Sequence, residues 1–163
     1  MTHRRRLLVA IAALAAPGLS AAAAEQPVAP YVISDANAGA TPDPGDSLYR
    51  ALHGREGIER IVTDLVKSDR TDPRISDIFR ATDMVRLKRL LIEQICYISG
   101  GPCHYTGRDM KTTHTDMGLQ NADMNALIED LQAAMDKEKV RFRDQNRLLA
   151  KLAPLQRTVV QRR

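Results

Sequence analysis

From residue 46 onward every apolar pattern in this chain recurs at three- and four-residue steps, and no segment alternates with period two over a useful length. Such spacing places apolar side chains on one face of a helix and leaves no half-buried strand to build a sheet. The fold class is therefore all-α. Ser47–Leu52 reads as a short helix ended at Gly54, and Arg55–Arg70 carries Ile58, Ile61, Val62, Leu65 and Val66 on one stripe. Asp72-Pro73 stops that helix, and the turn ISDIF holds Phe79. Thr82 or Asp83 is placed to cap the segment MVRLKRLLIEQICYIS, whose stripe is Met84, Leu87, Leu91, Ile95 and Ile98, widened by Leu90 and Ile92. It ends at Gly100-Gly101-Pro102. Asn121 caps a further helix with Met124, Leu127, Ile128, Leu131 and Met135 inward. The last helix, about Phe142–Val160, buries Leu148, Leu149, Leu152, Leu155 and Val159 and should bend near Pro154. Lengths this unequal exclude a regular four-helix bundle.

The flanks differ in kind. Residues 1–24, MTHRRRLLVAIAALAAPGLSAAAA, have a basic start, a short apolar run and a closing stretch of small residues. That is the grammar of a secretory signal peptide, with cleavage expected after Ala24 and a periplasmic or secreted product. The apolar run is well short of the ~20 residues that span a bilayer, so no stable membrane insertion is expected after signal removal. Setting those three arginines aside lowers the formal charge of the whole chain from +4 to +1. No basic stripe with interleaved aromatics is left to suggest nucleic acid. Residues 25–45, EQPVAPYVISDANAGATPDPG, carry four prolines and no helical period, and read as an extended linker. Residues 46–161 form the globular part.

Chemistry-bearing residues concentrate in GGPCHYTGRDMKTTHTDMGL, residues 100–119. Met110, Thr113, His114 and Met117 fall on one face of a short helix at about 109–117, so His114 points inward. A helix so short is marginal alone and must be stabilised by what it packs on. By spacing, an inward histidine is either a hydrogen-bonded core residue or a ligand. His104 reads as an exposed loop residue and His53, beside Gly54, as a helix-end residue. A zinc site fails on spacing: Cys96, Cys103, His104 and His114 are separated by steps of seven, one and ten, unlike a knuckle of closely paired ligands. Covalent haem would require Cys-x-x-Cys-His, which is absent from the sequence. No nucleophile motif and no Gly-rich phosphate loop is present.

The stretches SLYRALHGREGIERIV, DPRISDIF, DMVRLKRLLIEQ and the 100–119 string resemble the truncated haemoglobins, most closely group I, from about Ser47 to Val160. The resemblance implies a truncated globin-like two-over-two helical sandwich around haem b. It implies that His114 is the proximal iron ligand, binding through Nε2 while the other ring nitrogen is held by an acceptor. Phe79 would pack on the haem face, Leu87, Leu91 and Val66 would line the distal side, and Tyr105 and Met110 (with Met117) would flank the haem edge or proximal side. Arg86, Lys88 or Arg108 would reach a propionate.

The chain also departs from the family's pattern. Where group I proteins commonly carry a distal tyrosine and glutamine, this sequence has Val66 and Leu91. Each missing donor removes roughly 1–3 kcal/mol from the binding of a polarised ligand such as dioxygen. Gln94 stands as a possible substitute donor, or as a surface glutamine. The family's occasional sixth-ligand histidine position is Leu90 here. Cys96 and Cys103, in an exported chain, are expected to pair as a disulfide, with free buried thiols or a redox switch as the alternatives. The implied partners are a diatomic gas and an electron donor, for a monomer or weak dimer. Redox or nitric-oxide chemistry, by dioxygenase or peroxidase-like turnover, is favoured over tight oxygen storage. A haem carrier or gas sensor without turnover, and a cofactor-free helical interaction domain, are the competing readings.

Overall fold

A computed structural model describes residues 24–161; the expected signal segment, apart from Ala24, lies outside the described residues. Among the described residues seven α-helices succeed one another: α1 (Ser47–Ala51), α2 (Gly54–Asp69), α3 (Met84–Ile98), α4 (Met110–His114), α5 (Asn121–Lys137), α6 (Phe142–Leu152) and α7 (Gln156–Val159). Three 3-10 turns add to these at Asp35–Ala38, Ser76–Phe79 and Ala153–Leu155. Among the described residues there is no strand, and no helix is long and apolar enough to cross a membrane.

The long amphipathic helix α2 is the centre of the packing. It lies against both α3 and α5, and α5 lies against α6. Ile58, Ile61, Val62 and Leu65, the apolar stripe of α2, are all buried in this core with Leu131, Met135 and Leu148. Helices α2, α3, α5 and α6 thus form the packed body, and the short helices join onto it. Asp83 caps α3, its carboxylate accepting from the backbone N–H groups of Val85 (3.0 Å) and Arg86 (3.1 Å). At the start of α5 Gln120, one residue before the expected Asn121, occupies the cap, and its N–H donates to the Asp123 carboxylate at 2.9 Å. The final helical stretch breaks at Pro154, where the ring removes a backbone donor, into α6, a 3-10 turn and α7.

After α3 the chain must reverse in very little space. Gly100 sits at φ 84°, where a Cβ would lie 1.8 Å from the carbonyl oxygen of Gly45. A Cβ on Gly101 would meet the Tyr49 ring and the Cys96 Sγ at 2.5–2.7 Å. Only glycine fits both positions. Cys96 and Cys103 are joined in a disulfide with a Cα–Cα distance of 5.8 Å, which ties the end of α3 to the loop leading to α4.

Residues 24–45 depart from the linker expected of them. They run extended, as the prolines require, but they are fastened along α3 and the 103–107 loop. Glu25 pairs with Arg89 and Arg86, and the N–H of Gln26 donates to Asp83. The Tyr31 hydroxyl donates to the carbonyl of Thr106 (2.9 Å) and the Asp35 carboxylate accepts from the N–H of Tyr105 (2.8 Å). Ala38, fully buried, belongs to the core. A polar, proline-rich composition does not prevent docking when its backbone groups find partners.

Candidate functional site

Helix α4 has only five residues, so its ends are held by side chains. Asp109 caps it, accepting from the N–H of Thr112 at 2.9 Å, and the Thr113 hydroxyl turns back to the carbonyl of Asp109. Helix α7 packs against it, and the Gln161 amide donates to the carbonyl of His114 at 3.3 Å. The helix places His114, half-buried, on the wall of a cavity of about 390 Å³ that runs between α3, α4 and α5. The His114 Nδ1 lies 2.7 Å from the carbonyl oxygen of Met110, one turn back. That carbonyl can only accept, so Nδ1 carries a proton, and in the neutral ring Nε2 then holds the lone pair. An imidazole held in this tautomer is prepared to bind a metal at Nε2.

The cavity is otherwise mostly apolar. Phe79, Leu87, Leu90, Leu91 and Ile95 line it from the α3 side, and Leu127, Leu131, Leu149 and Leu155 from the α5–α7 side. Tyr105 and Met110 also line it, both buried; the Tyr105 hydroxyl donates to the carbonyl of Arg108 at 3.3 Å, and burial pushes its pKa up to about 12. His114, Phe79, Leu87, Leu91, Tyr105 and Met110 therefore meet around one space. Met117 reaches it from beyond the helix end, where Thr115 leaves the helical conformation, and is 42% exposed.

Val66 does not join them. It lines a separate, open groove between α2 and α3 together with Met84, Ile92 and the cations Lys67, Arg70 and Lys88. A helix turns its side chains by about 100° per residue, so with Leu65 facing the cavity Val66 faces away from it. The α2 residues that reach the cavity are Leu65 and, one turn on, Asp69. The expected propionate partners are also engaged elsewhere. Arg86 pairs with Glu25 and Asp83, and Arg108 donates to the carbonyl of Ala29 while its guanidinium lies over the Tyr31 ring at 5.0 Å. Lys88 belongs to the outer groove. Gln94 is buried rather than on the surface, and its amide donates to the carbonyl of Ala38 (2.8 Å) with the Met110 sulfur at 3.4 Å. His104, exposed, pairs with Asp35, and His53 lies 3.1 Å from the Glu138 carboxylate. Neither lines the cavity.

Asp69 is the residue that periodicity did not single out. It is 1% exposed, and neither carboxyl oxygen has a hydrogen-bond partner. Burial, aided by the charges of Asp130 and Asp72, pushes its pKa up to about 7. The signal was present in the sequence: Asp69 follows Leu65 by four residues and Val62 by seven, and so stands on the apolar stripe of α2.

A family model described as bacterial-like globin matches residues 47–161. The chain belongs to the truncated haemoglobins of the bacterial-like globin family. It is 35% identical over 89 residues to the group 1 truncated haemoglobin of Nostoc sp. (strain MUN 8820), covering 55% of this chain and 75% of that one. To the group 1 truncated haemoglobin of Tetrahymena pyriformis it is 32% identical over 89 residues, 55% of this chain and 74% of the relative. The Fe(III) crystal structure of the Tetrahymena pyriformis protein superposes with a TM-score of 0.68 at 26% identity, covering 71% of this chain and 98% of that one. The 2/2 haemoglobin of Synechococcus sp. superposes with a TM-score of 0.66 at 24% identity, over 71% and 99% of the two chains, and shares the fold. Haem with its iron is the cofactor of this truncated-globin family. The residues present suit it: a mostly apolar cavity takes an apolar macrocycle, and one imidazole, His114, lines that space with its Nδ1 bonded to the Met110 carbonyl. No lysine or arginine lines the cavity among the described residues.

Proposed function

We propose that this truncated haemoglobin would hold haem b through the Nε2 of His114 and bind a diatomic gas, with redox or nitric-oxide chemistry favoured over tight oxygen storage. Haem, when bound, supplies the iron that takes the gas and the ferrous/ferric couple. The observation that supports the assignment of His114 is its hydrogen bond to the Met110 carbonyl, which leaves Nε2 as the ring nitrogen not engaged by that bond, on a residue that lines the cavity. Asp109, by capping α4, keeps that ring in place. Phe79, Leu87 and Leu91 exclude water from the cavity and keep its dielectric low, which favours retention of an apolar macrocycle.

The disfavouring of oxygen storage rests on what the α3 wall lacks. Leu87 and Leu91 supply no donor, and the Gln94 amide is already committed to Ala38. Without a donor aimed at it, dioxygen loses the hydrogen bond that slows its escape, at a cost of roughly 1–3 kcal/mol. Carbon monoxide and nitric oxide are less polarised and lose less. The test is hemin titration followed by stopped flow. One equivalent of hemin is expected to give a sharp Soret band, and the reduced protein is expected to release oxygen at neutral pH at least tenfold faster than the Tetrahymena pyriformis relative. An equal or slower release would overturn the preference for redox chemistry, and a chain that takes up no hemin would overturn the whole reading.

A further inference from the structure

Two polar side chains are buried in the wall of the cavity, and their situations are opposite. Gln94 is satisfied, its amide hydrogens directed to the Ala38 carbonyl and the Met110 sulfur. Asp69 is not: it is buried, it lines the cavity, and both of its oxygens lack partners. A buried carboxylate with neither a cation nor a donor is the least tolerable state such a residue can take, because the ion loses its hydration without compensation. A proton removes the charge and converts an acceptor-only group into an O–H donor.

The surroundings of Asp69 leave it no other resolution. On α5 the nearest charge is Asp130, itself short of one partner, with Glu129 beside it. The turn after α2 supplies Asp72 and Arg74, but Arg74 is occupied by Asp72 and Glu129. From α3 only uncharged side chains line the cavity (Leu87, Leu90, Leu91, Gln94 and Ile95). The other titratable groups on the cavity wall are Asp123, Tyr105 and His114, the last donating through Nδ1 to Met110. Every charge acting on Asp69 itself is negative. An apolar aspartate-sized gap at the same place would be filled by leucine or valine, as it is at Leu65 one turn earlier.

We propose that Asp69 is held as a neutral carboxylic acid and is the hydrogen-bond donor that this cavity offers to a polar ligand, in place of the donor absent at Leu91. The role rests on the haem reading above, since the ligand concerned is one seated at the iron. Its consequence is a cavity with two states. In mildly acidic solution Asp69 donates and a polarised ligand is retained. As the pH rises above neutral the donor is lost, a negative charge takes its place, and the same ligand is released.

Two variants and two readouts test this. The full chain is examined by infrared spectroscopy in deuterated buffer at pH 6, before and after hemin loading. A carbonyl stretch of a protonated carboxyl group is expected in the wild type, absent from both Asp69→Asn and Asp69→Leu. Oxygen release is then followed from pH 5.5 to 8.5. The wild type is expected to release oxygen about tenfold faster at the alkaline end, corresponding to about 1.4 kcal/mol for one hydrogen bond. Asp69→Asn, which keeps a donor that does not titrate, is expected to be slow and flat across that range, and Asp69→Leu fast and flat. Absence of the carboxyl band from the wild type, or its persistence in Asp69→Leu, would overturn the proposal. So would a pH-dependence of release that both variants retain. If the chain failed to bind hemin the haem reading would fall, whereas the infrared band of the unloaded chain would still decide the state of Asp69.

Discussion

Reducing the Cys96–Cys103 bridge should loosen the part of the molecule that carries His114, and the size of the effect follows from the loop it closes. The two cysteines are seven residues apart. Closing a loop of that length removes about 8 cal/mol/K of chain entropy from the unfolded state, or about 2.4 kcal/mol at 25 °C. That is a substantial part of the ~5–15 kcal/mol that holds an ordinary domain together. The loss is local in origin, because the loop contains Gly100 and Gly101 and leads directly to Tyr105 and α4. Urea unfolding of oxidised protein, compared with protein reduced and alkylated, gives the number. With a denaturant slope of about 2 kcal/mol per molar, the midpoint is expected to fall by about 1.2 M. Native-state hydrogen exchange should show the slowest amides in the centre of α2 losing protection by that same global amount, with a loss at least as complete at the amides of Thr106, Thr112 and Thr113. A midpoint shift under about 0.3 M, or unchanged protection in the centre of α2, would contradict the loop-entropy figure.

Three further perturbations follow from the same geometry. Asp69 has a folded-state pKa of about 7 against an ordinary 3.8, so the native state binds the extra proton between those values and loses stability as pH rises through them. Urea midpoints should show wild type declining from pH 4 to 7 relative to Asp69→Leu, by up to about 4 kcal/mol; parallel curves would contradict a buried acid. Glu138 is the opposite case: hydrogen bonds from Arg60 and His53 pull its pKa down to about 2, so its contribution is complete above the ordinary glutamate value and fades as pH falls toward 2. Arg60 is half exposed, which limits Glu138→Gln to a cost of about 1 kcal/mol, measurable by urea unfolding at pH 7 and expected to vanish near pH 2. Asp109→Ala removes the cap of α4 and should lower the urea midpoint while speeding hemin transfer to a scavenging globin severalfold; an unchanged transfer rate would mean that the cap does not hold the proximal ring.

Much of this organisation was legible because it is periodic. The stripes of α2, α3 and α5, the stop at Asp72-Pro73, the Asp83 cap and the break at Pro154 all follow from local rules that packing did not override. The cavity was legible through the family resemblance of the 100–119 string, since spacing alone left His114 either a core residue or a ligand. What escaped was set by rotation about helix axes and by long-range pairing. Val66 and Leu65 are adjacent in the same apolar stripe, and only the packing of α2 on α3 and α5 decides which of them sees the cavity. Residues 24–45 carry no periodic signal, yet their backbone and side chains find partners on α3 and the loop after it. Arg86 and Arg108 looked free to meet a ligand because the groups that engage them, Glu25 and Ala29, lie in that same segment. Asp69 was visible as a charge on an apolar stripe, but its lack of any partner is a property of the packed state alone.

The account stands on the Nε2 of His114 as the group that holds haem iron, and one spectrum addresses it. His114→Gly, purified and titrated with hemin, is expected to give only the broad absorption of loosely held haem. Adding free imidazole to occupy the vacated space should restore the sharp Soret band and the carbonyl spectrum of the wild type. A His114→Gly protein whose ferric, ferrous and carbonyl spectra match those of the wild type without imidazole would contradict it.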